Sequence, residues 1–172
     1  MRILFRLFGS VAALLILFLA VGLVLPGTWT ASSSLDLPAP PERVFPYLED
    51  LALWDDWTPW GGVESTFEGV TAGVGARRIW EHAQFGSGAV TITESDYGRL
   101  VRYRVVVGDG QLSVDGTFTV ESTASGSRVT WLEEGDFGWN PLMGYAARRM
   151  PEAQGTQLRQ GLEKLRRLVE GP

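Results

Sequence analysis

Apolar and polar positions change their period along the chain, and each change marks an element. Leu7 to Leu25 carries no charge and is apolar on every side. A helix of that length spans about 28 Å, close to the hydrocarbon thickness of a bilayer. Pro26-Gly27 stops it. Thr30 to Leu37 then alternates weakly, as a strand does, until Pro38-Ala39-Pro40-Pro41 breaks the pattern. Pro41 with Glu42 suits the first turn of a helix whose apolar face is Val44, Phe45 and Leu48. Asp50 is placed to cap a second short helix, Leu51 to Trp57, which Thr58-Pro59-Trp60-Gly61-Gly62 ends.

Period-two segments follow at regular spacing: Ser65–Gly69, Ala76–Glu81, Gly88–Ser95, Leu100–Val107, Gln111–Glu121 and Arg128–Asp136. The joins hold Gly73, Gly86, Gly98, Gly108-Asp109-Gly110 and Ser125-Gly126-Ser127, residues suited to tight turns, so neighbouring strands are expected to be antiparallel. From Leu142 to Glu170 the period becomes helical. Leu158, Leu162, Leu165 and Val169 form an apolar stripe, and Pro151 is expected to kink or restart the helix. An antiparallel sheet with one apolar face needs a cover, and this helix is the one element long enough. The expected fold is α+β: a curved antiparallel β-sheet gripping a long C-terminal helix, with two short helices after the first strand. One transmembrane helix precedes it, so residues 1–27 read as an anchor and residues 28–172 as the domain.

Flanking charge orients the anchor. Arg2 and Arg6 lie on its N-terminal side and Arg43 alone lies close beyond the other. The positive-inside rule puts the N-terminus in the cytoplasm and the domain outside it, with Trp29 at the interface. A cleaved signal peptide is the main alternative. It has a shorter apolar region than this run and a small-x-small cleavage site, of which Thr28-Trp29-Thr30-Ala31 is a poor version. A buried core helix is the other, though it should show a polar face.

Composition narrows the function. The chain of 172 residues has no cysteine and one histidine, His82, which disfavours disulfides, thiol nucleophiles and protein-only zinc sites, and no cofactor or metal is expected. The net charge is −5, and residues 28–172 hold 20 acids against 13 bases, a charge of −7. That balance disfavours nucleic-acid binding. Neither a Gly-x-Ser-x-Gly elbow nor a phosphate loop or dinucleotide fingerprint occurs.

Aromatic residues are the strongest chemical signal. Trp54, Trp57, Trp60, Phe67, Trp80, Phe85, Tyr103, Phe118, Trp131, Phe137 and Trp139 are spread over almost every element. Strand parity puts Trp131 on the face of Val129, and Tyr103 on that of Val101 and Val105. Facing the long helix, Trp57, Trp60, Phe67, Trp80, Tyr103, Phe118, Trp131 and Phe137 would line an apolar pocket, with Met143 and Met150 as adaptable lining. Equally, each would serve as plain core.

Two acids share that face by parity: Glu94 with Val90 and Ile92, Glu133 with Val129 and Trp131. An unpaired carboxylate there is costly, so each is either a proton-transfer group or ligand anchor, or sits at a bulge or strand end open to water. Glu133 is the stronger functional candidate. His82 follows Trp80 by two residues and lies near a turn, which favours a solvated histidine over a general base. Arg77-Arg78, Arg148-Arg149 and Arg166-Arg167 read as solvated surface.

The stretch Leu37-Pro38-Ala39-Pro40-Pro41-Glu42-Arg43-Val44-Phe45-Pro46-Tyr47-Leu48, then Asp50, Trp54, Trp57 and Pro59-Trp60, resembles the start of the SRPBCC (START-like) superfamily, within it the bacterial polyketide cyclase/dehydrase and lipid-transport group. Gly73-Val74-Gly75, Trp80, the Gly88-to-Glu94 strand, Ser127-Arg128-Val129-Thr130-Trp131, Gly135-Asp136 and the final helix continue the resemblance over residues 30–170. It implies a helix-grip fold around an apolar cavity, in a superfamily that mixes carriers, ligand sensors, co-chaperone-like modules and a few enzymes. Three readings follow. The first is a membrane-anchored, non-catalytic module holding a hydrophobic small molecule such as a lipid, quinone or polyketide. The second is a ring cyclase or dehydrase using Tyr103, Glu133 or His82, and the third is a protein-interaction module with no ligand.

Overall fold

A computed structural model describes residues 2–82, 86–108, 110 and 112–171. It opens with helix α1 (Arg2–Val24), followed by strand β1 (Thr28–Leu37), helix α2 (Pro41–Glu49) and a short 3-10 helix (Leu51–Asp56). Strands β2 (Ser65–Phe67), β3 (Arg77–His82), β4 (Gly86–Asp96), β5 (Leu100–Val107), β6 (Leu112–Thr123) and β7 (Gly126–Asp136) come next. Helices α3 (Met143–Ala147) and α4 (Met150–Glu170) close the chain. The expected order of elements is the observed one, and the single long helix expected after Leu142 is split. Pro151 falls in the first turn of α4, where its missing N–H costs nothing, and the break precedes it. Asp50 caps the 3-10 helix, its side chain accepting from the Ala52 N–H at 3.0 Å.

The seven strands form one antiparallel sheet in the order β1-β7-β6-β5-β4-β3-β2. All neighbours except β1 and β7 are consecutive, so the sheet is a meander whose last strand returns to pair with the first over its whole length, Thr28 opposite Asp136 and Leu37 opposite Ser127. Register then sets two faces. Arg104–Asp115, Arg128–Asp36 and Arg102–Glu94 pair across strands on the convex, solvated face. The concave face carries Ala31, Leu37, Val90, Ile92, Val101, Tyr103, Phe118, Val129 and Trp131, all buried. The stripe Leu158, Leu162, Leu165 and Val169 of α4 is buried against it, as are Val44, Phe45 and Leu48 of α2.

The sheet has two unlike ends. At the near end β1 begins, α4 begins and α1 enters. At the far end Ser127, just past the β6–β7 turn, donates its hydroxyl to the Ala39 carbonyl at 2.8 Å and ties β7 to the segment after β1. Helix α1 is long and apolar enough to cross a membrane, and its side chains stand exposed, which removes the reading of a buried core helix. Trp29 departs from its expected place. It is 5% exposed, lies against Gly135 of the facing strand and beside Phe137, and belongs to the core.

Close ring–glycine contact recurs inside the sheet. Tyr103 of β5 lies over Gly116 of β6, where an added Cβ would stand 1.9 Å from the ring. The ring cannot withdraw, because Trp54 and Phe118 pack against it. Alanine ordinarily stabilises a strand relative to glycine by up to about 1 kcal/mol. Gly116→Ala is expected to reverse that sign and cost about 1–3 kcal/mol by overpacking. Thermal unfolding followed by circular dichroism should show a fall of roughly 2–10 °C; an unchanged or raised midpoint would refute this account of the packing.

Candidate functional site

Between sheet and helix the structure brings together the rings that the sequence spreads along the chain. Trp54 and Trp57 come from the 3-10 helix and its end, Tyr103 from β5, Phe118 from β6 and Trp131 from β7. All five are essentially inaccessible to solvent. Their ring centres are 4.9 Å apart for Trp54–Tyr103 and Phe118–Trp131, and 5.4 Å for Trp57–Trp131. Most contacts are edge-on or tilted, the geometry favoured by the ring quadrupole. The indoles of Trp54 and Trp57 donate to the backbone carbonyls of Leu48 and Tyr47, which ties the 3-10 helix to α2.

One polar chain runs through this aromatic floor. The Trp131 indole Nε1 donates to the Tyr103 hydroxyl at 2.7 Å, and that hydroxyl donates to Glu133 Oε1 at 2.5 Å. Gln154 of α4 donates through Nε2 to the other carboxyl oxygen at 2.6 Å. Glu133 is 1% exposed and has no cationic partner among the described residues. Burial pushes its carboxyl above the usual range, while the Tyr103 and Gln154 hydrogen bonds pull the other way. Burial, and then the neighbouring carboxylate, push the Tyr103 hydroxyl well above its ordinary value. The group can store or release a proton at Glu133, and it can offer a buried polar contact to a ligand.

Other predicted pocket residues are only partly covered. Trp60 stands above the floor with its ring 6.0 Å from Tyr103 and 6.2 Å from Trp131, and it is half-buried. Trp80, Val107, Val114, Phe137 and Met150 are likewise partly exposed while packed on the core. Phe67 is exposed on the short edge strand β2, and Met143 is exposed on α3, away from the aromatic floor. Two open depressions, of about 520 and 780 Å³, lie around β3 to β5 and along the β2–β3 edge rather than beneath α4.

Several sequence expectations resolve differently. For Glu94 the alternative of a bulge holds: the β-bulge between Ile92 and Glu94 turns it outward, where it pairs with Arg102 at 2.8 Å, and parity counted through the strand fails there. Arg78 is not solvated surface: it is 3% exposed on the concave side and is held by Asp55 at 2.7 Å, Ser65 at 2.6 Å and the Val63 carbonyl at 3.1 Å. Arg77 points outward to Glu68. The backbone of His82 pairs with Gly86 at the end of β3, its side chain lies outside the described residues, and Phe85 lies outside them altogether. Gln154 was not picked out by sequence reasoning. Its signal was present, since it lies four residues before Leu158 on the apolar stripe of α4, a polar residue where the period calls for an apolar one.

A family model described as "polyketide cyclase / dehydrase and lipid transport" matches residues 28–170. No curated protein matches the chain as a sequence relative. Among solved structures, a protein of Chromobacterium violaceum aligns over 83% of this chain and 98% of its own, with 24% identity and a TM-score of 0.61. One from Mesorhizobium loti aligns over 82% and 96%, at 18% identity and 0.60. A protein of unknown function from Staphylococcus aureus covers 83% and 94%, at 9% identity and 0.63. These likenesses establish the fold.

Titration of Glu133 has a stability consequence with a definite sign. Its folded pKa lies above the unfolded value of 4.5, so the folded state holds the proton longer. Its contribution is therefore full below about 4.5 and is lost as pH rises from there through the raised folded value. Glu133→Gln is expected to flatten this part of the stability–pH curve, read as the difference between variant and wild type in urea unfolding from pH 4 to 8. Parallel curves would show that the buried carboxyl does not titrate as argued. Tyr103→Phe removes a hydroxyl shared by two buried partners and is expected to cost roughly 1–3 kcal/mol.

Proposed function

The chain belongs to the polyketide cyclase/dehydrase and lipid-transport family, and on that premise we propose that it is a membrane-anchored, non-catalytic module that binds a hydrophobic small molecule. Residues 1–27 serve as a retained single-pass anchor with the N-terminus in the cytoplasm, and residues 28–172 form the binding domain outside it. The observation that carries the reading is the row of partly exposed apolar side chains, Trp60, Trp80, Val107, Val114, Phe137 and Met150, which continues the buried core out to solvent. Such a row is stable in water only at a cost in exposed apolar surface, and an apolar ligand removes that cost.

The ligand enters between Trp80 and Met150 by displacing Trp60. Gly62, at a positive φ of 85° two residues after Trp60, lets the loop turn there. Tyr103, Trp131 and Glu133 form the floor against which a lipid, quinone or polyketide-like ring system rests, with Trp57 and Phe118 packed beneath. Phe67 extends the apolar side toward the β2 edge, and Met143 meets the ligand only outside the mouth. Glu133 gives one polar contact in exchange for Gln154: its oxygen accepts from a ligand hydroxyl, or in the protonated form donates to a ligand carbonyl.

The buried Tyr103–Glu133 pair supports a second reading, proton transfer in a cyclase- or dehydrase-like reaction. The two readings separate on residues 28–172 purified without detergent and checked for folding. A binding module is expected to carry a reproducible extra mass in native mass spectrometry, released by organic solvent and lost on Trp80→Asp. With Glu133→Gln the load should persist. A compound consumed by the wild type and untouched by Glu133→Gln would establish catalysis instead. A folded domain that stays empty and takes up neither fatty acids nor quinones would overturn the binding reading and point to a protein-interaction module.

A further inference from the structure

The segment between β7 and α4 is fastened to the anchor helix. Tyr145 donates its hydroxyl to the Phe18 carbonyl at 2.8 Å, and the two rings stack at 4.5 Å with an interplanar angle of 4°. The backbones nearly touch between that contact and the end of α1. An added Cβ on Gly22 would stand 2.0 Å from the Pro141 carbonyl oxygen, and one on Gly144 would stand 2.6 Å from Leu25 Cβ. The segment therefore sits level with the last turn of α1. Phe18 lies six residues before Val24, so the Tyr145 hydroxyl reaches roughly 9 Å back along the helix from its end.

Beside this contact the surface is apolar and then basic. Trp139 is 84% exposed, Leu142 53% and Met143 38%. Arg148 and Arg149 follow, both exposed and in no ion pair among the described residues. In a domain of net negative charge, two unpaired guanidinium groups in the same short segment as an exposed indole match the boundary of a bilayer, where phosphates overlie acyl chains.

We propose that residues 138–149 form a membrane-surface element: Trp139, Leu142 and Met143 enter the headgroup–acyl boundary of the leaflet from which α1 emerges, and Arg148 and Arg149 reach its phosphates. The proposal rests on the reading of α1 as a retained anchor. Its consequence is orientational. Trp80, Val107, Val114 and Phe137 lie at the near end of the sheet and Met150 begins α4 there, so the element turns the mouth of the grip toward the bilayer instead of leaving the domain to swing on a tether. A hydrophobic ligand then passes between membrane and domain without crossing water.

The absence of cysteine makes the test direct. The full chain is made with a single cysteine at Leu142→Cys or, as reference, at Ser125→Cys in the far-end turn, labelled with an environment-sensitive fluorophore. Each is reconstituted in vesicles of phosphatidylcholine and phosphatidylglycerol with a lipid spin-labelled near the top of its acyl chain. The probe at 142 is expected to shift to the blue and be quenched about two-fold or more, while that at 125 stays aqueous. Reversing the charges in Arg148→Glu/Arg149→Glu should weaken the quenching at 142. A water-like probe at 142 in a chain that resists alkaline extraction overturns the proposal alone. A blue shift without quenching marks a protein contact, such as a second copy, and overturns it too. A chain that alkaline extraction removes from the vesicles overturns the anchor reading, and the proposal with it.

Discussion

The domain depends on filling the concave face of one strongly curved sheet with aromatic rings. A single sheet folded around one helix leaves more space between them than aliphatic side chains span, and here Trp54, Trp57, Tyr103, Phe118 and Trp131 take it up. Ring size forces the other choices. Glycine stands opposite Tyr103, Trp80 and Trp29 on the adjoining strands, because any larger residue would collide with the ring. Three indole N–H groups and a phenol must also be satisfied without water, which brings in the carbonyls of Leu48 and Tyr47, the Tyr103 hydroxyl and the carboxyl of Glu133.

That last requirement couples stability to chemistry. Glu133 accepts from Tyr103 and Gln154, so it is the acceptor on which the polar chain begun at Trp131 ends. A buried carboxyl without a cation is costly, and its raised pKa expresses the cost. Arg78 shows the opposite solution on the same face. Its charge is buried, and a carboxylate, a hydroxyl and a carbonyl compensate it in full view of each other. Arg78 is a fixed strut between β3 and the loop after the 3-10 helix, whereas Glu133 keeps the capacity to change protonation state.

The two ends of the sheet divide the remaining work. The far end is tied by the hydrogen bond from Ser127 to the Ala39 carbonyl. The near end gathers the start of β1, the break before α4 and the contact with α1, and several apolar side chains remain partly open there. Closure at one end and looseness at the other follow from the topology. The first and last strands pair along their full length, and the chain must leave this pair at the near end both to reach α1 and to reach α4.

By itself the sequence determined the order of elements, their antiparallel joins and the concave positions of Tyr103, Trp131 and Glu133, because strand parity and helical period are local and repeat every two and 3.6 residues. It also carried the family pattern. Parity broke where one residue was inserted, at the bulge after Ile92, and Glu94 went to the opposite face. Only the tertiary structure decided which long-range partners met: Gln154 with Glu133, Arg78 with Asp55, Tyr145 with Phe18. The same holds for Trp29, expected at a membrane surface and found in the core, and for Trp139, exposed beside α1. Period fixes the face a side chain takes on its own element, while its neighbours across the fold depend on how seven strands and a helix close on one another, and no local repeat encodes that.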